Sequence, residues 1–211
     1  MRKILTAIIM LSLGTAYAGN YTNQQNGAIS FGWQTSDEFA LFSVSGSIME
    51  LTVKSINSSD RHYAITEQVG WAFASNATYF GCYPYAVNYL LYHFPYTALP
   101  ITYNHQTQAT NASTEHLAAV DYMTAQTKST SSALSINYKH LGAILRIAAY
   151  VPETKTFSSL KLTTKDNTAW FAEEATVNAT DNTMSVTTAA ATATLTLSNI
   201  TVEGGDSLIA Y

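Results

Sequence analysis

Apolar and polar residues alternate with a period of two in short runs along most of this chain. From Leu134 to Tyr138 every second residue is apolar, and the run TATLTL near the C-terminus alternates in the same way. Because successive side chains of a strand point to opposite faces, such runs predict strands with one buried face. The runs are four to nine residues long and are separated by Gly, Pro, Asn and Ser, so we expect an all-β sandwich.

Several segments interrupt the alternation. Residues 113–124 are the one segment in which we expect a helical turn. Gly46 indicates a bend between two strands, and the glycine pair at 204–205 predicts a turn into a last strand. The aromatic residues 80–96 include two prolines, which predicts one or two short strands that lead to an edge or a loop.

Composition separates the chain from nucleic-acid-binding proteins. Its 211 residues are enough for one ordinary hydrophobic core. Only 11% of them are charged, and a surface rich in Thr, Ser and Asn is common in secreted and cell-surface β proteins. The net charge is -4, and Arg2 and Lys3 form the one basic cluster, so nothing is present to neutralise a phosphate backbone.

The N-terminus has the features of a secretory signal. Arg2 and Lys3 precede an apolar stretch from Ile4 to about Leu13, and the tripeptide AYA ends at Ala18. This order predicts a signal peptide over residues 1–18 that is cleaved after Ala18. The apolar stretch is shorter than the roughly 20 residues that a transmembrane helix needs.

Cysteine usage fits export without disulfides. The only cysteine is Cys82, so no internal disulfide forms, and a small buried hydrophobe is the better interpretation of this residue. A lipoprotein signal needs a cysteine at the new N-terminus, and none follows the apolar stretch. These features favour a bacterial envelope protein.

Neither a metal nor a cofactor is expected. No two histidines have the i, i+2 or i, i+4 spacing that lets imidazoles share a metal on one strand or helix. The sequence also contains no glycine-rich phosphate loop, no dinucleotide-binding fingerprint and no G-x-S-x-G nucleophile motif. The histidines are His62, His93, His105, His116 and His140.

One pair of carboxylates stands next to aromatic residues. Glu173 and Glu174 follow Trp170 and Phe171, an arrangement that suggests a platform for a sugar. Adjacent carboxylates on a strand point to opposite faces, however, so they cannot flank one scissile bond as a glycosidase pair must. We therefore expect a solvated turn here, and an envelope hydrolase has little support.

Tyrosines are abundant, with 14 in the chain. They can form a carbohydrate-binding surface because each joins an apolar ring to a hydroxyl, although in strands they more often pack across strand pairs. A cell-surface carbohydrate-binding module is therefore the alternative function. It requires that exposed aromatic residues such as Trp33, Trp71 or Trp170 line one face.

Four motifs in order resemble one known family. An aromatic strand end is followed by a glutamine in the next loop, then by an Asp-x-Met-x-Ala segment, and then by a strand with Lys-His-Leu and further apolar residues. The motifs are Tyr83-Pro84-Tyr85 and Phe94-Pro95-Tyr96, Gln106 or Gln108, Asp121 to Ala125, and Tyr138 to Leu141 followed by Ile144, Leu145 and Ile147. Over residues 33–163 this order and spacing resemble the fimbrillin family, the pilus subunits and related surface proteins of Bacteroidetes.

The resemblance implies a fold and a way of working. It implies a transthyretin-like β-sandwich over residues 19–190, with residues 191–211 as further strands that complete a sheet edge or begin a shortened second domain. Subunits of this family polymerise by donor-strand exchange, so the implied partners are other fimbrillin subunits or a second copy of this chain, with surface glycans or proteins as adhesion targets. It implies no catalysis, and it implies a place in a fimbrium at the outer membrane.

The resemblance also implies roles for single residues. Tyr83, Pro84 and Tyr85 form the strand end, and Met123 and Ala125 pack inward. Asp121 is expected to cap a turn or local helix. His140, followed by Leu141, is expected where a strand meets the core, with a hydrogen bond to the backbone.

Two departures from the family pattern bear on processing. The chain lacks the lipobox cysteine of most members, and few residues follow the matched region. Family subunits are activated by cleavage after an arginine in an N-terminal loop. Arg61 is the candidate, since it lies in a polar segment while Arg146 is expected inside a strand.

Overall fold

The computed structural model describes residues 6–13, 20–23, 29–61, 63–69, 73–129 and 134–211. These residues form seventeen strands, one five-residue α-helix and one five-residue 3₁₀ helix, so the protein is all-β as the alternation predicts. No helix in these ranges is long and apolar enough to cross a membrane.

The first half of the chain contains β1 (Thr6–Leu13), β2 (Asn20–Asn23), β3 (Ile29–Gly32), β4 (Glu38–Ser43), β5 (Ile48–Ile56), β6 (Tyr63–Val69), β7 (Thr78–Tyr83), α1 (Val87–Leu91), β8 (Leu99–Thr102) and β9 (Thr107–Gln108). The second half contains the 3₁₀ helix (Glu115–Ala119), β10 (Met123–Lys128), β11 (Leu134–His140), β12 (Ile147–Tyr150), β13 (Lys155–Thr163), β14 (Phe171–Asn178), β15 (Thr183–Ala190), β16 (Thr192–Val202) and β17 (Ser207–Ala210).

Seven strands form one closed sheet in the order β1, β11, β10, β7, β4, β5 and β6, and β6 pairs again with β1. Neighbouring strands in it are antiparallel except β1 and β11, which are parallel. The structure therefore does not confirm a transthyretin-like sandwich, because here one sheet curls onto itself where two open sheets were expected. Closure gives every strand of this sheet two neighbours.

Large apolar side chains fill the inside of the closed sheet. Strand β11 has the predicted alternation, with Leu134, Ile136 and Tyr138 buried and the residues between them exposed. Trp33 is fully buried in this core, and the centroid of its ring lies 5.5 Å from that of Tyr83 and 5.8 Å from that of Tyr138 in edge-to-face contacts. Aromatic pairs of this kind add roughly 0.5–1.5 kcal/mol each to the stabilisation from apolar burial.

Strand β4 is buried on both faces. Phe39 and Leu41 belong to the core inside the closed sheet, whereas Ala40 and Phe42 belong to a second cluster on its outer face. That outer cluster is covered by a three-stranded sheet in the order β15, β14, β8 and by α1, whose Tyr89 is buried. The sequence of β4 is correspondingly apolar at four consecutive positions and does not alternate.

Outside the closed sheet, β2 pairs with β3 alone, and a long two-stranded ribbon contains four of the other strands. One segment of the ribbon contains β13 and β14, and the other contains β15 and β16. Strand β14 pairs with β15 near the turn that joins the two segments, and β13 pairs with β16 further from it; both pairings are antiparallel. Strand β8 adds to β14 at one end of the ribbon, and β9 adds to β16 at the other. The strand pair β12 and β17 contributes to a third core with the β13–β16 ladder, built on Val151, Leu197, Ile200, Val202 and Leu208.

Three predictions about turns are confirmed. The turn between β4 and β5 contains Gly46 with a φ of 88°, and Gly205 has a φ of 96° just before the last strand, which pairs with β12. Both angles lie in the left-handed region that glycine adopts without a steric cost. The 3₁₀ helix lies within the segment where a helical turn was expected.

One prediction about local structure is confirmed in part, and another is wrong. The aromatic segment begins with one short strand, the end of β7, as expected, but after Pro84, which has no N–H for a ladder, it forms α1 and not a second strand. Glu173 and Glu174 do not form a turn but lie in β14, where the pairing with β15 is irregular. An irregular register of this kind lets two residues of one strand face one residue of its partner.

Gly81 of β7 leaves room for the phenol ring of Tyr138. A Cβ atom at position 81 would lie 2.5 Å from the Tyr138 hydroxyl oxygen and 2.8 Å from its Cζ atom. We predict that Gly81→Ala lowers the free energy of unfolding by about 1–3 kcal/mol, because the ring is fully buried and must be displaced. Urea unfolding measures the loss.

The matched control for this substitution is Gly142→Ala. A Cβ atom at position 142 would have the Tyr103 hydroxyl as its nearest neighbour at 3.6 Å, which is an ordinary contact. Its unfolding midpoint is expected to stay at that of the parent protein. Equal losses for the two variants would contradict the packing described for Tyr138.

Candidate functional site

The residues of the family-like motifs are divided between the core of the closed sheet and the outer cluster. Met123 and Ala125 of β10 are buried inside the closed sheet, and Tyr83 at the end of β7 joins the same core. Tyr85 and Leu141 pack against the outer cluster and are half-buried. Pro84, also half-buried, lies between the two tyrosines. The motif residues therefore contribute to the packing of the hydrophobic cores.

Asp121 and His140 form a partly buried pair between the two layers. The His140 Nδ1 atom lies 2.5 Å from the Asp121 Oδ1 atom, and the side chains are 15% and 7% exposed respectively. The prediction that His140 hydrogen-bonds to the backbone is corrected here, since this contact is with a carboxylate on the segment that precedes β10. Asp121, expected to cap a turn or local helix, lies at the end of the 3₁₀ helix and not at its start, and its N–H donates to the Leu117 carbonyl.

This pair predicts a stability loss for His140→Ala. The substitution removes a hydrogen-bonding partner from a carboxylate with little access to water, which costs about 1–3 kcal/mol of unfolding free energy. Thermal unfolding measures the change. Lys139→Ala is the control, because Lys139 is exposed on the same strand; an unchanged melting temperature for His140→Ala would show that the pair has no structural role.

A second carboxyl group lies near the end of β7. Asp37 precedes β4, and its Oδ2 atom accepts a hydrogen bond of 2.7 Å from the Gln34 N–H. Burial raises the pKa of Asp37 to about 6, an effect partly offset by the Gln34 N–H, the Tyr83 hydroxyl and the charge of Arg61. The folded protein therefore binds this proton more tightly than the unfolded chain does.

The raised pKa predicts how stability depends on pH. The contribution of Asp37 to the free energy of unfolding is fully present below its ordinary pKa of 3.8 and is lost as the pH rises through about 6. The expected loss is about 1–3 kcal/mol between about pH 4 and pH 7, and we predict that Asp37→Asn removes it. Urea unfolding at several pH values measures this; the same pH dependence in Asp37→Asn would contradict the assignment.

Tyr83→Phe provides the complementary variant. It removes a hydroxyl that favours the charged form of Asp37. The pH range over which unfolding free energy is lost is therefore expected to move upward in this variant. The core packing of the ring is retained.

Cys82 does not have the environment of a nucleophile. Its side chain is 1% exposed in the outer cluster, as the sequence predicts for a small buried hydrophobe, and burial raises the pKa of its thiol to about 12. A thiol of this pKa stays protonated at neutral pH, whereas the thiolate is the reactive form. Within the described ranges no three His, Cys, Asp or Glu side chains lie close enough to hold a metal ion, and His62 is outside those ranges.

The two arginines of the described chain have different surroundings. Arg61 is exposed in a turn, its carbonyl accepts a hydrogen bond from the Trp33 N–H, and its guanidinium donates to the Trp33 carbonyl. Arg146 does not lie inside a strand as expected; it is exposed in the irregular segment before β12. Cleavage after Arg61 stays a prediction, with Arg146 as a second exposed arginine. The predicted signal cleavage site at Ala18 lies outside the described residues.

Strand β1 occupies one position in the closed sheet, which we call the β1 position. Its backbone pairs with β6 from Thr6 to Ser12 and with β11 from Ile9 to Leu13. Strands β6 and β11 do not pair with each other, so β1 alone connects them. The residues of β1 lie within the predicted signal peptide.

A cavity of about 710 Å³ lies along the ribbon, and we call it the ribbon cavity. Because β8 pairs with β14 and β9 pairs with β16, residues 103–106 must cross from one strand of the ribbon to the other, and they line this cavity. On other sides it is lined by parts of β13 and β16, by residues 142–145 and Ile147, and by residues 170–173. Its size is within the usual range for small-molecule sites.

The three tryptophans singled out in the sequence do not share one face. Trp33 is fully buried and is therefore unavailable to a ligand, which corrects that expectation. Trp71 lies outside the described residues. Trp170 is 77% exposed and lines the ribbon cavity.

Sequence reasoning missed most of the ribbon cavity. Tyr103 and Asn104 lie far in sequence from Leu160 and Leu195, and only the pairing of β8 and β9 with the ribbon brings them together. The alternation in β13 and β16 does indicate that these leucines share a face, but it does not show that the face is partly uncovered.

Comparison with known proteins identifies no family. No family model matches the sequence, and no curated protein matches it. Among solved structures, the chain is similar to the crystal structure of a "putative cell adhesion protein" from Bacteroides thetaiotaomicron VPI-5482, with 10% sequence identity and a TM-score of 0.40. The match covers 90% of this chain and 68% of that chain. A similarity at this level assigns the chain to no family.

Proposed function

We propose that this chain is a non-enzymatic, exported surface protein that binds its partners by accepting a β-strand, as a fimbrillin-like pilus subunit or as a tip or cap component in adhesion. The observation that carries the proposal is the overlap between β1 and the predicted signal peptide. Cleavage after Ala18 removes β1, and β6 and β11 are then separated by a gap one strand wide.

Such a gap is unstable when it is empty. It exposes the backbone groups of β6 and β11 that otherwise pair with β1, and unpaired strand edges readily bind another strand. It also opens the closed sheet beside Ala64, Leu134 and Ile136, which are buried in its core. A strand from a partner restores both the hydrogen bonds and the apolar cover.

The donor strand comes from another molecule in this proposal. The C-terminal strands are not available as donors, because β16 is paired on both sides, with β13 and β9, and β17 is paired with β12. Donating either strand to a second copy would break a ladder of the chain's own fold. We therefore propose other subunits as donors, with a fimbrium at the cell surface as the place of assembly.

The test uses a chain that begins at Gly19 and a labelled peptide with the sequence of residues 6–13. We expect saturable peptide binding and a rise of several degrees in melting temperature, because a ligand that binds only the folded state stabilises it. Size-exclusion chromatography with light scattering then shows whether the same chain forms oligomers that the peptide dissociates.

A peptide with proline in place of Ile9 and Leu11 is the matched control, since proline cannot donate to a strand ladder. Binding of the parent peptide and not of the proline peptide is the expected result. A stable monomer from Gly19 that binds neither peptide would exclude the β1 position as an acceptor site.

A further inference from the structure

The floor of the ribbon cavity is aliphatic. Leu160 faces Leu195 and Leu162 faces Ala193 across the β13–β16 ladder, and all four residues line the cavity. Leu145, on the opposite segment, also lines it and is 60% exposed. An apolar surface of this kind favours a ligand with a hydrocarbon part.

The mouth of the cavity combines an indole ring with polar side chains. Trp170 is 77% exposed there, and Asn104, His105 and Glu173 line the same cavity. The side chains of these three residues make no hydrogen bond to the part of the chain that the structure describes; Asn104 and Glu173 bond through their backbone atoms only. An amide, an imidazole and a carboxylate are thus available to a ligand beside an aromatic face.

The charges of the lining restrict the ligand further. Glu173 and Asp121 line the cavity, and no lysine or arginine among the described residues does so. An anionic head group would meet repulsion without a compensating cation. An anionic polar end is therefore disfavoured, and the hydroxyl groups of a neutral polar end suit the acceptors and donors at the mouth.

Two backbone contacts beside Asn104 and Glu173 are already made, so an extended peptide finds few backbone partners on this side of the cavity. The Tyr103 N–H donates to the Glu173 carbonyl at 3.0 Å, and the Thr196 N–H donates to the Gln106 carbonyl at 3.0 Å. A peptide strand binds mainly through such backbone groups. Recognition at this mouth rests on side chains instead.

We propose that the ribbon cavity binds a neutral saccharide with an apolar substituent, such as an alkyl glycoside or the sugar end of a neutral glycolipid. The sugar ring stacks on Trp170, its hydroxyls bond to Asn104 and Glu173, and the hydrocarbon part lies on Leu160, Leu162 and Leu195. No lining residue belongs to β1, β6 or β11, so the site is separate from the β1 position.

The test is isothermal titration of the full chain with octyl β-glucoside below its micelle concentration. We expect saturable 1:1 binding that is at least about tenfold tighter than binding of glucose, because glucose lacks the apolar part. Trp170→Ala and Asn104→Ala are each expected to weaken binding about tenfold. Tyr92→Ala is the matched control, because Tyr92 is a 68% exposed aromatic residue that does not line the cavity.

Three results would overturn the proposal. The first is no saturable binding of octyl β-glucoside by a chain that melts cooperatively. The second is equal binding of octanol, which would show an apolar cavity without sugar recognition. The third is displacement of the glycoside by an extended apolar peptide with higher affinity, which would assign the cavity to a protein partner.

Vesicles with and without a neutral glycolipid then separate a membrane source from a soluble glycoside.

The two proposals can fail independently. Peptide binding at the β1 position is measured on the chain from Gly19, and glycoside binding is measured on the full chain. Trp170→Ala is expected to leave peptide binding unchanged, because Trp170 lies on the loop before β14.

Discussion

Burial of β4 on both of its faces holds the two layers of this protein together. Phe39 and Leu41 contribute to the core of the closed sheet, while Ala40 and Phe42 contribute to the cluster under the second sheet. Fully burying a side chain of this size contributes about 1.5–3 kcal/mol. Strand β4 therefore couples two cores, and its neighbour β7 does the same with Tyr79 and Tyr83 on one face and Phe80 and Cys82 on the other.

How much of the fold and of the candidate sites could be predicted from the sequence depends on how far apart in sequence the interacting residues lie. The alternation of Leu134, Ile136 and Tyr138 is a local signal, and it correctly predicts which side of β11 is buried. The turns at Gly46 and Gly205 are local as well, because the left-handed backbone requires glycine there. These features follow from a few neighbouring residues, and the all-β class follows from their sum.

Features that depend on distant residues were missed. A run of four apolar residues in β4 is compatible with burial on two faces, but nothing near it in sequence indicates what covers the second face. Likewise, the pairing of Leu99–Thr102 with residues 174–177 crosses some seventy residues and creates the ribbon cavity. The helix α1 was missed because its five residues are too few to show a helical repeat of apolar side chains.

The long-range pairing of β8 and β9 also determines the order in which the chain can fold. All strands of the closed sheet lie within the first 140 residues, whereas β8 and β9 pair with β14 and β16, which come later in the chain. Contacts between residues so far apart form slowly, since the intervening loop has to close first. Until then Ala40, Phe42 and Phe80 lie on an uncovered apolar surface. A chain in which the ribbon has not yet formed is therefore prone to aggregation.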